Sequence, residues 1–463
     1  MAGAHHWRWR VVVAILALAF MRPVGQAAQV LSILLVKEDL GTLPGDTASY
    51  AYGINASRQI VGNSFGPGAN TAYIWTPPGP MVALGAPDGV SLDFATDIND
   101  VGQVVGTGFG LEFALDAYIW TAPDDVVNLG NVGLFDEQAT AINSLGWVTG
   151  YGEVPPYAPT LWVPPGPNQI IPGTAGVYGG ASDVNDAGQV VGGTQLWSPG
   201  VSQPFYWSQA DGLIALEGLP AGDGSGYADS INSGGAIAGH TSDGGNARAV
   251  VWPSFNANPV DLGTLGGSTA SARAINNNGV VVGNSATANV DTTHAFRKSP
   301  GSAMQDLGTL GGTNSSAEAV NSAGHAVGTA QVANGQTHAV AWWRYTAASS
   351  LACNCQQWPP APTWPGTKVI AVLIPGSPKL SVRAVDANTL TLGDGDGDDA
   401  PVAVDSHGRK LVMGGDFNRD GYPDLLAGFD PRRVAATTAR DSAVWLVGAF
   451  RDRSIGIFGA VKR

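Results

Sequence analysis

The chain is poor in cysteine, in charge and in long apolar runs, and each shortage excludes a class of protein. Cys353 and Cys355 are the only cysteines among 463 residues, so the fold does not rest on a disulfide framework. A Cys-x-Cys bridge would close a small strained ring, and with no His or further Cys nearby the pair does not form a metal site. Charged residues make up only 13%. Basic residues are scarcest between Val30 and Ser350, 7 against 25 acidic ones, a balance of −18. A surface that acidic repels phosphate backbones, so nucleic acid is excluded as a partner. From Gly366 to Arg463 the balance is +1, with 13 basic and 12 acidic residues. The longest apolar run, Val11 to Met21, is too short to cross a bilayer core of ~30 Å, so no membrane span is expected. Arg8 and Arg10 precede this run and Gly25-Gln26-Ala27 follows it, so residues 1–27 read as a signal peptide cut after Ala27. Export to the cell exterior or surface is the expected fate. Also missing are a His-x-x-x-His pair, a Gly-x-Ser-x-Gly elbow and a phosphate loop, and no catalytic residue is assigned.

What is abundant is Gly (64) and Pro (30), against 44% apolar residues. That mixture suits short strands joined by many turns rather than long helices. The decisive feature is a repeat. An Ile/Val-Asn unit recurs at Asn55, Asn99, Asn143, Asn185, Asn232, Asn276 and Asn321, at spacings of 44, 44, 42, 47, 44 and 45. Seven residues after each stands a glycine: Gly62, Gly106, Gly150, Gly192, Gly239, Gly283 and Gly328. Three residues after the Asn there is a Gly in six copies, with Arg58 the exception.

Each copy reads as four strands. In the sixth, Ala272 to Ile275 is the first, followed by the tight turn Asn276-Asn277-Asn278-Gly279. Val280 to Gly283, a strand opening at His294-Ala295-Phe296, and Met304 to Leu310 complete it. Third strands end in Trp75, Trp120, Trp162, Trp207, Trp252 and Trp342, with Arg297 in the sixth copy. These rings are expected to lie across the repeat glycines and so to exclude a side chain there. Seven four-stranded units predict an all-β, seven-bladed β-propeller over residues 30–345, since radial repetition leaves few free edges. An open β-solenoid is the rival architecture. Nothing like Asp306-Leu307-Gly308 follows Trp342, whereas Asp39-Leu40-Gly41 precedes the first Asn. The segment Ile33 to Leu40 is therefore expected to supply the seventh blade's outer strand.

The best copies, Asp261 to Gly267 with Ile275-Asn276, Asp306 to Gly312 with Val320-Asn321, and His294-Ala295-Phe296, resemble the HAF repeat of extracellular bacterial proteins. The resemblance covers about Glu38 to Trp343. It implies export and a repeat architecture, and no particular activity.

Residues 346–366 hold a Pro-rich stretch and read as a stiff linker. Residues 367–463 are expected to form a small β-sandwich. Within it Asp416, Asn418, Asp420, Tyr422 and Asp424 alternate around Gly421, the pattern that turns oxygen ligands toward one Ca²⁺. Ala427 stands where an EF-hand has its bidentate Glu, so Asp424 would close the shell, and the ion would be structural. Residues 368–463 also resemble a C-terminal domain of secreted bacterial proteins, in which such a loop precedes a segment like Leu425 to Asp430. Asp394, Asp396, Asp398 and Asp399 read as a solvated acidic turn, with a second Ca²⁺ loop the alternative. His294 and His338 occupy equivalent repeat positions, which argues for a structural role. The carboxylate pairs Asp124-Asp125 and Asp136-Glu137 are expected in connecting loops.

The function these features predict is that of a secreted, non-catalytic binding or scaffold module. Its partner would be an extracellular glycan or protein. The alternative is a propeller enzyme, hydrolase or lyase, acting on extracellular polysaccharide. An enzyme should break the repeat symmetry with titratable groups converging from several blades.

Overall fold

A computed structural model describes Val12–Ile15, residues 33–346 except for short loop segments, and the backbone of seven strands between Ile370 and Val461. Every element among the described residues is a β-strand; no helix there is long and apolar enough to cross a membrane. Two compact units are present, one being Asp39–Trp342 and the other Met1–Glu38 with Trp343–Arg463.

The larger unit is a seven-bladed β-propeller. Blade I is Ala48–Ile54, Ile60–Phe65, Asn70–Trp75 and Met81–Ala83, hydrogen-bonded in that order. Blades II to VI repeat the plan, their first strands being Ser91–Ile98, Glu137–Ile142, Gly179–Val184, Gly226–Ile231 and Gly266–Ile275. Blade VII contains Gly311–Val320, Ala326–Val332 and Thr337–Thr346. In its sheet Ile33–Gly41 lies beside Thr337–Thr346, and Val12–Ile15 pairs antiparallel with Leu34 to Lys37 beyond it. The first strand of each blade lies against the first strand of the next, and Gly311–Val320 lies against Ala48–Ile54, so these strands form the inner ring.

The apolar core is distributed between neighbouring blades. Val61, Ala72 and Leu84 of blade I pack with Ala95, Ile98, Val104 and Trp120 of blade II. Val191, Tyr206 and Leu216 of blade IV pack in the same way with Ile231, Ile237 and Trp252 of blade V. Each sheet thus buries both faces, and no blade has a complete core of its own.

Every first strand carries a β-bulge at the same place, between Ala51 and Gly53 in blade I and between Ala317 and Ala319 in blade VII. The bulge explains the repeat glycines, and the expected Trp contact is not the reason. A Cβ on Gly62 would sit 1.9 Å from the Tyr50 carbonyl oxygen, and on Gly328 2.0 Å from that of Ser316. The obstacle is first-strand backbone, and no Trp is among the nearest atoms; rings approach only at Gly192 and Gly283, and they belong to Phe205 and Phe296. The glycine three residues after the Asn has its own reason, a left-handed φ of 70 to 90° from Gly102 to Gly324. Arg58 adopts the same conformation, with φ 64°.

The fourth strand of blade VI is shorter than expected, Gln305–Asp306 replacing Met304 to Leu310. Gly308 and Gly311 take φ values of 64° and 103° and turn the chain off the edge. Asp306 Oδ1 accepts the Gly308 N–H at 2.7 Å, starting that turn. In blades V and VI the Leu-Gly of this motif therefore begins the crossover to the next blade, whereas Asp39-Leu40-Gly41 stays within a strand. Asp136-Glu137 is not a loop pair either: Glu137 opens a first strand, is buried, and accepts the Asn168 amide at 3.1 Å.

Between Ile370 and Val461 the described strands form a three-stranded sheet, Ile370–Ile374, Asp424–Phe429 and Val412–Gly415, and a four-stranded sheet of Ala400–Pro401, Val385–Gly393, Val444–Phe450 and Ile455–Val461. Most of the linker 346–366, both cysteines and the side chains of Asp416, Asn418, Asp420, Tyr422 and Asp424 lie outside the described residues, as do Asp124 and the Asp394 to Asp399 turn.

Candidate functional site

The seven repeat asparagines form a continuous belt. Each Nδ2 donates to the backbone carbonyl of the next repeat Asn, from Asn55 to Asn99 at 3.2 Å through to Asn276 to Asn321 at 2.8 Å. Asn321 then donates to the Asn55 carbonyl at 3.0 Å, across 266 residues of chain, and the circle is complete. Each Oδ1 accepts the N–H four residues on, such as Gln59 at 2.9 Å and His325 at 3.1 Å. One side chain therefore closes its own turn and ties its blade to the next, which a turn residue alone would not do.

The other recurring polar groups are also used between or within blades. The indoles of Trp120, Trp252 and Trp342 donate to the carbonyls of Gly85, Glu217 and Leu307 in the preceding blade, at 2.8 to 3.0 Å. His294 Nδ1 meets Asp306 at 2.8 Å, and His338 Nδ1 meets Asp39 at 3.0 Å. Arg248 and Asp261 make the same pair in blade V at 3.0 Å. Asp97 accepts the Ile98 N–H of its own strand and the Ile142 N–H of blade III, at 2.8 and 3.0 Å. Burial, opposed by the Ile142 N–H and reinforced by Asp183, pushes its carboxyl up to about 7. Asp183 holds the Ile231 N–H of blade V in the same manner at 2.9 Å, and burial raises it too.

One layer departs from this symmetry: the extra residue of the bulge, three before each Asn. In blades II and III it is Thr96 and Thr140, whose hydroxyls donate to the Ala139 and Ala181 carbonyls of the following blade at 2.9 and 2.7 Å. In blades V, VI and VII it becomes Asp229, Arg273 and Glu318. Arg273 Nη1 lies 3.3 Å from Asp229 and its Nε 3.7 Å from Glu318, so one guanidinium spans two blade junctions. Asp229 also holds His240 Nδ1 at 3.1 Å. Ser316 donates to Glu318 and takes an N–H from Asn284 at 3.1 Å. In blade I the position is Tyr52, stacked on Tyr50 with centroids 6.4 Å apart. Burial first, then the Glu318 carboxylate, pushes the Tyr52 hydroxyl up to about 12. Among the described residues no group of three or more His, Cys, Asp and Glu is placed to hold a metal.

This cluster is what sequence reasoning missed. Its signal lay in the alignment of the copies, where an offset of three before the Asn reads Thr, Thr and Ser in blades II to IV and then Asp, Arg, Glu in blades V to VII. Only the closed ring makes blade VII a neighbour of blade I and brings Tyr52 to Glu318.

No family model matches the chain, and no curated protein does. Solved structures do. A gluconolactonase from Xanthomonas campestris aligns with 67% of this chain and 90% of its own, at 11% identity and a TM-score of 0.35. TolB from Acinetobacter baumannii aligns over 59% and 76%, at 11% identity and 0.37. A lectin from Burkholderia pseudomallei aligns over 66% and 99%, at 10% identity and 0.39.

Proposed function

We propose that this is a secreted, non-catalytic β-propeller of the HAF-repeat kind, serving as an extracellular binding or scaffold module for a glycan or protein. The observation that carries this reading is the use made of the repeated polar side chains. The Asn belt, the Trp anchors and the His–Asp and Arg–Asp pairs are all committed to joining strands and blades. A repeat spent in that way builds a rigid frame, and function falls to the side chains that depart from it. The leader at residues 1–27 supports secretion to a bacterial cell surface or medium. Its removal after Ala27 would take Val12–Ile15 and leave Ile33–Gly41 in place. A Ca²⁺ held by Asp416, Asn418, Asp420, Tyr422 and Asp424 would be structural; carboxylates at alternate positions around a Gly suit a hard cation.

A glycan array and a bait screen with the mature protein, run beside a polysaccharide hydrolysis and lyase screen, test the reading. Retention of a glycan or protein without turnover is the expected result; turnover would replace it with the enzyme reading. That second reading has one specific observation in its favour, the convergence of Asp229, His240, Arg273 and Glu318 from three blades.

A further inference from the structure

We propose that the inner strands of blades V, VI, VII and I, with His240 from the second strand of blade V, form a binding site for a neutral saccharide, built from Asp229, Arg273, Glu318, His240 and Tyr52. The proposal rests on the binding-module reading above and gives it a place and a ligand class.

The geometry asks for more explanation than blade joining supplies. At the same level of the ring, Thr96 and Thr140 join consecutive blades through one hydroxyl each. Charge is therefore not needed at this position to hold the propeller together. Yet three consecutive blades place Asp, Arg and Glu there, and their contacts at 3.3 and 3.7 Å are loose for ion pairs. The Arg273 side chain keeps 39% of its surface, against 14% for Asp229 and 23% for Glu318, so it is the arginine, more than either carboxylate, that a ligand can reach. Pairs this loose, with a part-exposed arginine, contribute little to stability.

The chemistry selects the ligand. Asp229 and Glu318 accept; Arg273 and the Tyr52 hydroxyl donate; His240 can do either. Such an array suits hydroxyl groups, each of which donates and accepts at once. The stacked Tyr50 and Tyr52 rings offer an apolar face beside it, as the C–H face of a sugar ring requires. An anion would meet two carboxylates within a region of net charge −18. A cation would meet the Arg273 guanidinium between them. A neutral polyhydroxylated ring avoids both costs.

The test is calorimetric titration of the full-length protein with neutral tetrasaccharides of glucose, mannose and galactose, with tetragalacturonate as the acidic control. One neutral probe is expected to bind, and the acidic control to fail. Glu318→Gln and Tyr52→Phe preserve shape and should each weaken binding about tenfold or more, the size of a lost hydrogen bond to a charged or buried group. Thr140→Val, on the opposite side of the layer, should leave affinity within about twofold, and melting curves show which variants are folded. Undiminished binding by folded Glu318→Gln and Tyr52→Phe would overturn this site while leaving the binding-module reading intact. Preference for tetragalacturonate would overturn the ligand class. A wild-type protein that retains no glycan and no protein in the array and bait screens would remove the binding reading and this site together.

Discussion

A repeated residue can be kept for a reason its neighbours in sequence do not show. Gly239 faces the Tyr227 carbonyl oxygen, 2.1 Å from where a Cβ would be. Gly239→Ala should cost about 3 kcal/mol in chemical denaturation, because backbone cannot be moved aside cheaply. The same substitution in a Trp252→Phe background should cost the same to within about 0.5 kcal/mol. Rescue by the smaller ring would instead make the third-strand aromatic the obstacle. Asn143 illustrates the belt. It donates to the Asn185 carbonyl at 3.1 Å and accepts from Leu145 and Trp147 at 3.0 and 2.9 Å. Asn143→Ala strands a buried carbonyl and two turn N–H groups, so a loss of about 3 kcal/mol is expected. A loss below about 1 kcal/mol would mean the belt is ornamental. That each Asn ends a strand was legible from Ile/Val-Asn-x-x-Gly; that its amide leaves the turn was not, since the partner is another blade.

At the scale of elements, strands belong to blades and blades hold one another. Asp39 stands against His338 as Asp306 stands against His294, and the Ser49 hydroxyl accepts the Ala339 N–H at 2.8 Å as Ser315 accepts that of Ala295 at 2.9 Å. These parallels support the proposal that Ile33 to Leu40 closes the ring. Its deletion should produce aggregation or a large fall in melting temperature, because blade VII would expose the edge of Thr337–Thr346; an unchanged melting curve would refute closure. The junction between blades II and III should respond to pH. The fold raises the Asp97 carboxyl from 3.8 to about 7 by burial, so it favours the protonated form. Its contribution is complete below about pH 4 and is lost as pH rises through 7, by at most about 1.4 kcal/mol per pH unit. In Asp97→Asn that part of the slope should vanish. Parallel urea-denaturation profiles of both proteins between pH 4 and 8 would show that Asp97 does not titrate there.

For the whole molecule, the calcium loop and the ring lead to separate expectations. Millimolar Ca²⁺ should raise the melting temperature of the full chain, in keeping with extracellular sites of Kd ~10⁻⁴ to 10⁻³ M. Asp416→Asn with Asp420→Asn should abolish the rise, and a wild-type protein indifferent to Ca²⁺ would retire the proposal. The number of blades was legible in the sequence because each blade copies one local pattern, Ile/Val-Asn, a positive-φ residue and a strand glycine, and local patterns are written in consecutive residues. The bulge carbonyl facing each glycine, the Asn belt and the cluster of Asp229, Arg273, Glu318 and Tyr52 were decided only by the tertiary structure. The belt and cluster partners lie about 44 residues apart, or 266 apart where the circle closes, and it is the curvature of the packed sheets that sets which residues meet across such separations; the carbonyl facing each glycine is nearer in sequence but meets it only once the bulged hairpin pairs.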